Sequence, residues 1–79
     1  MTDLEKAQEI LAENVRLIRH GRGVSQEEFA DLVGVSKVSV ATVEARKGNP
    51  RLETLVKFAS AAGVAPSELL IPHGDDWSV

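Results

Sequence analysis

The 79-residue chain has no cysteine, which excludes disulfides, thiolate metal sites and thiol nucleophiles. It has no apolar run approaching the ~20 residues that a bilayer-spanning helix needs, and its first residues are acidic where a secretory signal would be basic. A cytoplasmic protein is therefore expected. Aromatics are scarce, only Phe29, Phe58 and Trp77, so the core must be mainly aliphatic. There are two histidines, His20 and His73, far apart in sequence. No Ser/His/acid set, metal-ligand spacing or phosphate-cradling glycine loop accompanies them. Catalysis, a bound metal and a cofactor are not expected. A chain this short supports one core and one domain.

What the chain does have is helical periodicity punctuated by glycine. Thr2 and Glu5 stand at a capping-box spacing. Leu4, Leu11, Val15 and Ile18, widened by Ala7, Ile10 and Ala12, form the stripe of a long first helix that ends near His20 at H-G-R-G. S-Q-E-E at 25–28 is a second capping box, with Val24 placed to staple onto Phe29. Gly34 stops this second helix early, and so short a helix must be held by packing. Ser36 caps a third helix, from about Lys37 to Ala45, whose Val40 and Val43 point inward. The β-branched run V-S-V-A-T-V-E would also alternate as a strand, but the flanking caps favour helix.

After the loop A-R-K-G-N-P, a fourth helix covers about Leu52 to Ala62. Its expected core stripe is Leu52, Leu55, Val56 and Ala59, with Phe58 beside it, and Gly63 closes it. A-P-S-E-L-L-I predicts a short fifth helix opened by Pro66 and ended by Pro72. The reading is an all-α, compact five-helix fold, with residues 1–71 as the domain (helix 1 extended at its N-terminus) and residues 72–79 as a short polar C-terminal tail.

The net charge of −3 conceals an uneven distribution. Residues 1–13 carry Asp3, Glu5, Glu9 and Glu13 against Lys6, and residues 58–79 carry Glu68, Asp75 and Asp76 with no Lys or Arg. Residues 14–57 hold the other eight of the nine Lys and Arg. The basic middle contains the two-helix unit Gln26–Ala45, and an asymmetry of this kind bears on partners more than the total does. The outer side of helix 3 carries Lys37, Val38, Ala41 and Thr42. That surface is too apolar to be idle and too small-sided to be core. It suits the DNA major groove, where short side chains permit close approach and methyl groups meet thymine methyls.

Several segments together resemble the lambda-repressor-like helix-turn-helix domains of the Xre/Cro family. They are V-R-L-I-R at 15–19, S-Q-E-E-F-A at 25–30, G-V-S at 34–36, Val40, Val43 and Glu44, N-P-x-L-E-T-L at 49–55, and A-G-V-A-P-S-E-L-L at 62–70. The resemblance covers roughly residues 11–70. It implies a helix-turn-helix made by helices 2 and 3, with Lys37, Val38, Ala41 and Thr42 as base contacts. It implies phosphate contacts from Gln26, at the positive end of helix 2, and from Ser39, Arg46, Lys47 and Arg51. It also implies a partly buried ion pair between Arg19 and Glu44.

The resemblance departs at one place: glycine commonly lies two residues after the Glu, and here Arg46 stands there, with Gly48 displaced. Helix 3 is therefore expected to run longer, or the loop to bend differently. The implied function is sequence-specific transcription regulation, as a repressor binding a palindromic operator as a homodimer. Leu69, Leu70, Ile71 and Trp77 are the expected dimer patch. The alternatives are an antitoxin that binds a toxin partner and represses its own operon, its acidic first helix being the candidate surface, and a restriction–modification controller.

Overall fold

Each of the first three helices begins where a hydroxyl side chain takes up an otherwise unpaired backbone N–H. The computed structural model describes residues 1–77. Thr2 Oγ1 accepts from the Glu5 amide at 3.1 Å and Glu5 Oε1 accepts from the Thr2 amide at 2.9 Å, opening α1 (Asp3–Gly21). Ser25 and Glu28 make the same reciprocal pair at 3.1 Å each, opening α2 (Gln26–Val33). Ser36 caps α3 (Lys37–Glu44) through the Ser39 amide at 3.1 Å. Between α2 and α3, Gly34 adopts φ 86°, a left-handed conformation open to glycine at little cost, and its amide and that of Val35 both bond the Ala30 carbonyl.

α4 (Leu52–Ala62) follows, and a five-residue 3-10 helix, Pro66–Leu70, stands where the fifth α-helix was expected. Pro66 starts it as read, but the segment is too short to establish α-helical bonding and closes with the tighter i to i+3 pattern.

α3 packs against both α2 and α1, while α4 packs against α2 and the 3-10 helix. The buried core consists of Leu11 and Val15 from α1, Phe29, Ala30 and Val33 from α2, Val40 and Val43 from α3, Phe58 and Ala59 from α4, and Leu69. Phe29 and Phe58 stack with centroids 6.2 Å apart. This stack corrects the expected stripe of α4. Turning Phe58 fully inward rotates Leu52 and Val56 outward, to 71% and 42% exposure, and leaves Leu55 half-buried. Leu4, at the overhanging start of α1, is also exposed.

The segment after Pro72 is likewise not a trailing tail. Residues Gly74–Trp77 form a second 3-10 helix that packs on α1. His73 and Trp77 stack at 3.7 Å, the His73 ring nitrogen Nε2 lies 2.8 Å from the Glu68 carbonyl and 3.1 Å from its carboxylate, and Trp77 packs against the core. Residues 78 and 79 of the expected tail lie outside the described residues. The expected dimer patch is accordingly divided: Leu69 is fully buried and Trp77 is docked, while Leu70 and Ile71 remain exposed. Among the described residues no helix is long and apolar enough to cross a membrane.

Candidate nucleic-acid interface

The short α3 presents two different faces. Val40 and Val43 are buried beneath it. On the outside, Lys37 is exposed and Val38 is 73% exposed, with Ala41 and Thr42 half-buried beside them. An open cleft of about 220 Å³ runs along this outer side, lined by Val38, Ser39, Thr42 and Val43 on one wall and Asn49, Pro50 and Thr54 on the other. Three of the expected contact residues, Val38, Ser39 and Thr42, thus meet at one concave surface. Asn49 and Thr54, which the sequence reading did not single out, form its far wall. Ser39 also sits within 2.9 Å of the Ser36 hydroxyl, so its oxygen belongs partly to the cap.

Behind α3 lies a charged lock. Arg19 Nε donates to Glu44 Oε2 at 2.7 Å and its Nη2 to Oε1 at 3.0 Å, a two-bond pairing of a planar guanidinium with a carboxylate. The same guanidinium donates through Nη1 to the Val24 carbonyl at 3.0 Å, just ahead of the α2 cap. Arg16 Nη2 donates to the Glu44 carbonyl at 2.8 Å and so satisfies the C-terminal end of α3. Glu44 is only 5% exposed. Burial by itself pushes its carboxyl up. The hydrogen bonds from Arg19 and Gln26 and the positive charges of Arg19 and Arg16 outweigh that and hold it below the usual carboxylate value. The Glu44 hydrogen bond in turn raises Arg19.

Gln26, expected on a phosphate, donates through Nε2 to Glu44 Oε1 at 3.1 Å. Arg16 was missed in the sequence, although its place three residues before Arg19 puts both on one face of α1.

The loop after α3 resolves the departure at Arg46. Helix 3 does not run longer: it ends at Glu44, and Arg46 takes φ 64°, the left-handed conformation that glycine would adopt more easily. Gly48 is required for space instead. A Cβ there would come within 2.9 Å of the Val43 Cα, so the chain can pass this close to α3 only without a side chain. The Gln8 side chain pins the same point by donating to the Gly48 carbonyl at 2.8 Å.

Of the expected backbone-contacting cations, Lys47 and Arg51 are exposed, Arg51 at the start of α4 where no side chain caps the helix. Arg46 stands apart, lining a different cleft with Glu9, Glu13 and His73. Among the described residues no three His, Cys, Asp or Glu side chains gather as metal ligands would.

Comparison with known proteins agrees with this architecture. The family model described as helix-turn-helix matches residues 15–69. The crystal structure of hypothetical transcription factor NHTF from Neisseria superposes with a TM-score of 0.79 at 37% identity, covering 96% of this chain and 87% of that one. That of the restriction-modification controller protein C.AhdI from Aeromonas hydrophila gives 0.74 at 31% identity, covering 86% and 99%. Control protein C.SmaI of Serratia marcescens is 38% identical over 66 residues, 84% of this chain and 79% of that protein. With the matched model spanning well over half of its length, the chain belongs to the helix-turn-helix family of Xre-type, lambda-repressor-like DNA-binding transcriptional regulators.

Proposed function

We propose that α3 is the reading helix of a repressor that binds a palindromic operator as a homodimer in the cytoplasm. The observation that carries this is the pairing of a small-sided, largely apolar outer face with a rigid lock behind it. Val38 stands 73% exposed on a helix whose last turn is fixed by Arg16, Arg19 and Glu44. Lys37 donates to guanine, Val38 and Ala41 meet thymine methyls, and Thr42 serves either kind of contact. Gln26, Ser39, Lys47 and Arg51 hold the phosphates, and the exposed Arg46 follows at longer reach. The chain acts by binding and not by catalysis.

One reading helix spans only a few base pairs, and two half-sites about one helical turn apart make up the deficit. An exposed apolar surface supports the second copy. Leu4, Leu55 and Leu70 line a groove bounded by Gly48, Asn49 and Pro50, and these three loop residues also line the cleft beside α3. Leu52 and Val56 continue the surface along α4. A second copy covering that groove would sit against the loop that also walls the cleft beside α3. Leu52→Lys should shift sedimentation from dimer to monomer at tens of micromolar and leave the melting temperature of the monomer nearly unchanged. A parent chain that sediments as a monomer removes the dimer.

The base contacts are tested by selecting sites from random DNA at stated salt. Binding should weaken steeply with salt, the selected sites should contain an inverted repeat, and Lys37→Ala should relax one base position while leaving the others. If Lys37→Ala weakens all sequences equally, Lys37 is a phosphate contact. The similarity to two controller proteins favours one setting for the same DNA chemistry, a restriction–modification controller. Selected sites lying upstream of a neighbouring endonuclease gene would single out that setting.

A further inference from the structure

The expected phosphate-binding glutamine and the buried ion pair are in contact. Gln26 Nε2 lies 3.1 Å from Glu44 Oε1, the oxygen that also takes Arg19 Nη2 at 3.0 Å. A carboxylate is an acceptor only, so the Gln26 carboxamide can face it only through its NH₂ group. That decides which way the amide points. One of its two N–H bonds is used on Glu44. Among the described residues the second N–H has no partner. Gln26 is the first residue of α2, where backbone amides and the positive end of the helix favour an anion. Arg19 is paired with Glu44 and Arg16 with Glu13 at 3.8 Å, and Glu27 and Glu28 follow Gln26 in the first turn, so the contact rests on the free N–H and the helix end and not on a surplus of positive charge.

We infer that Glu44 is a positioning residue for the phosphate contact of Gln26, which places the buried ion pair and the DNA backbone in series. Arg19 orients the Glu44 carboxylate, the carboxylate fixes the Gln26 rotamer and amide orientation, and the remaining Gln26 N–H meets the phosphate. This rests on the DNA-binding reading above. The residue that locks the end of α3 thereby also sets the register of α2 on the backbone, so that both helices of the unit are referred to one buried carboxylate. A glutamine held in its binding rotamer before contact loses less side-chain freedom on binding than a free one.

A double-mutant cycle on the full chain tests it, with a random-sequence DNA duplex as probe at fixed low salt and melting curves confirming that each variant is folded. Gln26→Ala should weaken binding about tenfold, the scale of one hydrogen bond to a charged group. Glu44→Gln, which turns an acceptor-only partner into one presenting its own NH₂, should cost a similar factor in the parent and less than about twofold in the Gln26→Ala background. Equal costs in both backgrounds overturn the inference, because a purely structural role for Glu44 would be additive.

If Glu44→Gln does not fold, the side-chain amide resonances of the intact protein decide. In the free protein one Gln26 Nε proton should already be shifted by its bond to Glu44, and on addition of duplex only the other should shift, while those of Gln8, bonded to the Gly48 carbonyl, stay in place. Two alike Gln26 protons in the free protein, or an unmoved signal with DNA, overturn the inference. Loss of the DNA-binding reading itself would look different: the parent would show no salt-dependent binding to the duplex.

Discussion

The front of this chain, Thr2 to Glu44, and the back, Arg51 to Trp77, are held by different physics. In the front every helix starts on a side-chain cap, and α1 and α2 are tied to α3 by directional bonds from Arg16, Arg19 and Gln26 converging on Glu44. In the back α4 starts without a side-chain cap, and docking is apolar, through Phe58, Ala59 and Leu69. The polar ties between the halves run mainly one way: Asn14 donates to the Leu69 and Ile71 carbonyls and Arg22 to that of Ala61. Both halves leave apolar side chains in water, but the front scatters Leu4, Leu32 and Val38 over three helices, whereas the back exposes Leu52 and Val56 on α4 and Leu70 and Ile71 at the end of the first 3-10 helix. Fixed geometry lies around α3, where the proposed reading helix would have to keep its register. The grouped apolar surface of the back lies on the face where the proposed second copy would sit.

If that contrast holds, the largest single loss of stability comes from the front. Removing one partner of a buried ion pair strands the other, at a cost of about 3–5 kcal/mol. Glu44→Ala should therefore lower the melting temperature by at least about 12 °C, given a slope of about 4–8 °C per kcal/mol for domains of this size. A melt within a degree of the parent would show that the lock carries no stability.

The pH dependence has a definite sign. The folded-state pKa of Glu44 lies below its ordinary value of 4.5, so its contribution is complete above that value and is lost as the pH falls through the lower folded one. Glu5 and Glu28, lowered by their capping bonds to Thr2 and Ser25, titrate in the same direction. Stability should decline below about pH 4.5. Glu44→Gln should flatten that decline, which denaturant titrations at several pH values would measure.

A smaller loss is expected where the halves meet. Asn14 is 1% exposed and bonds two carbonyls at 2.8 and 2.9 Å. Asn14→Ala leaves both without a donor and should cost about 2 kcal/mol, since each buried polar group left unsatisfied costs about 1–3 kcal/mol in mutational data before relaxation. The loosening should appear first in the back. Fluorescence of Trp77, the single tryptophan, should shift to the red at denaturant concentrations that leave the helical signal intact. A single coincident transition would show the halves to be one cooperative unit despite their different ties.

The same division explains what could be read from the residues. Caps are local, because Thr2 with Glu5 and Ser25 with Glu28 declare themselves within four positions, and so the helix starts in the front were legible. The apolar stripe of α4 was not, because Leu52, Leu55, Val56 and Ala59 do form one face at helical spacing, while the helix turns to bury Phe58 at the edge of that face. Only the Phe29–Phe58 stack makes the choice, and it joins residues distant in sequence. Asn14 was hidden for the same reason: its partners lie 55 and 57 positions away. At the candidate site, the residues of α3 followed from the helix itself. Asn49 and Thr54 on the far wall depend on how closely the loop returns at Gly48.

The smallest effect is expected at the joint, and its sign carries the information. Arg46 sits at φ 64°, where a residue with a Cβ is strained by roughly 1–2 kcal/mol relative to right-handed backbone. Glycine removes that strain but loses about 0.5–1 kcal/mol in the entropy of the unfolded chain. Arg46→Gly should therefore stabilise the protein by up to about 1.5 kcal/mol, raising the melting temperature by a few degrees. The arginine side chain has one means of reversing the sign: it lines a cleft with Glu9 and Glu13. A charge attraction there would be screened by salt, so melting the parent and Arg46→Gly at low and high salt separates the two contributions. Stabilisation by glycine at both salts assigns the conformation of Arg46 to the backbone alone and makes the joint a passive bend. Destabilisation at low salt that disappears at high salt makes Arg46 a tie between the acidic face of α1 and the end of α3, a second charged anchor for the front half.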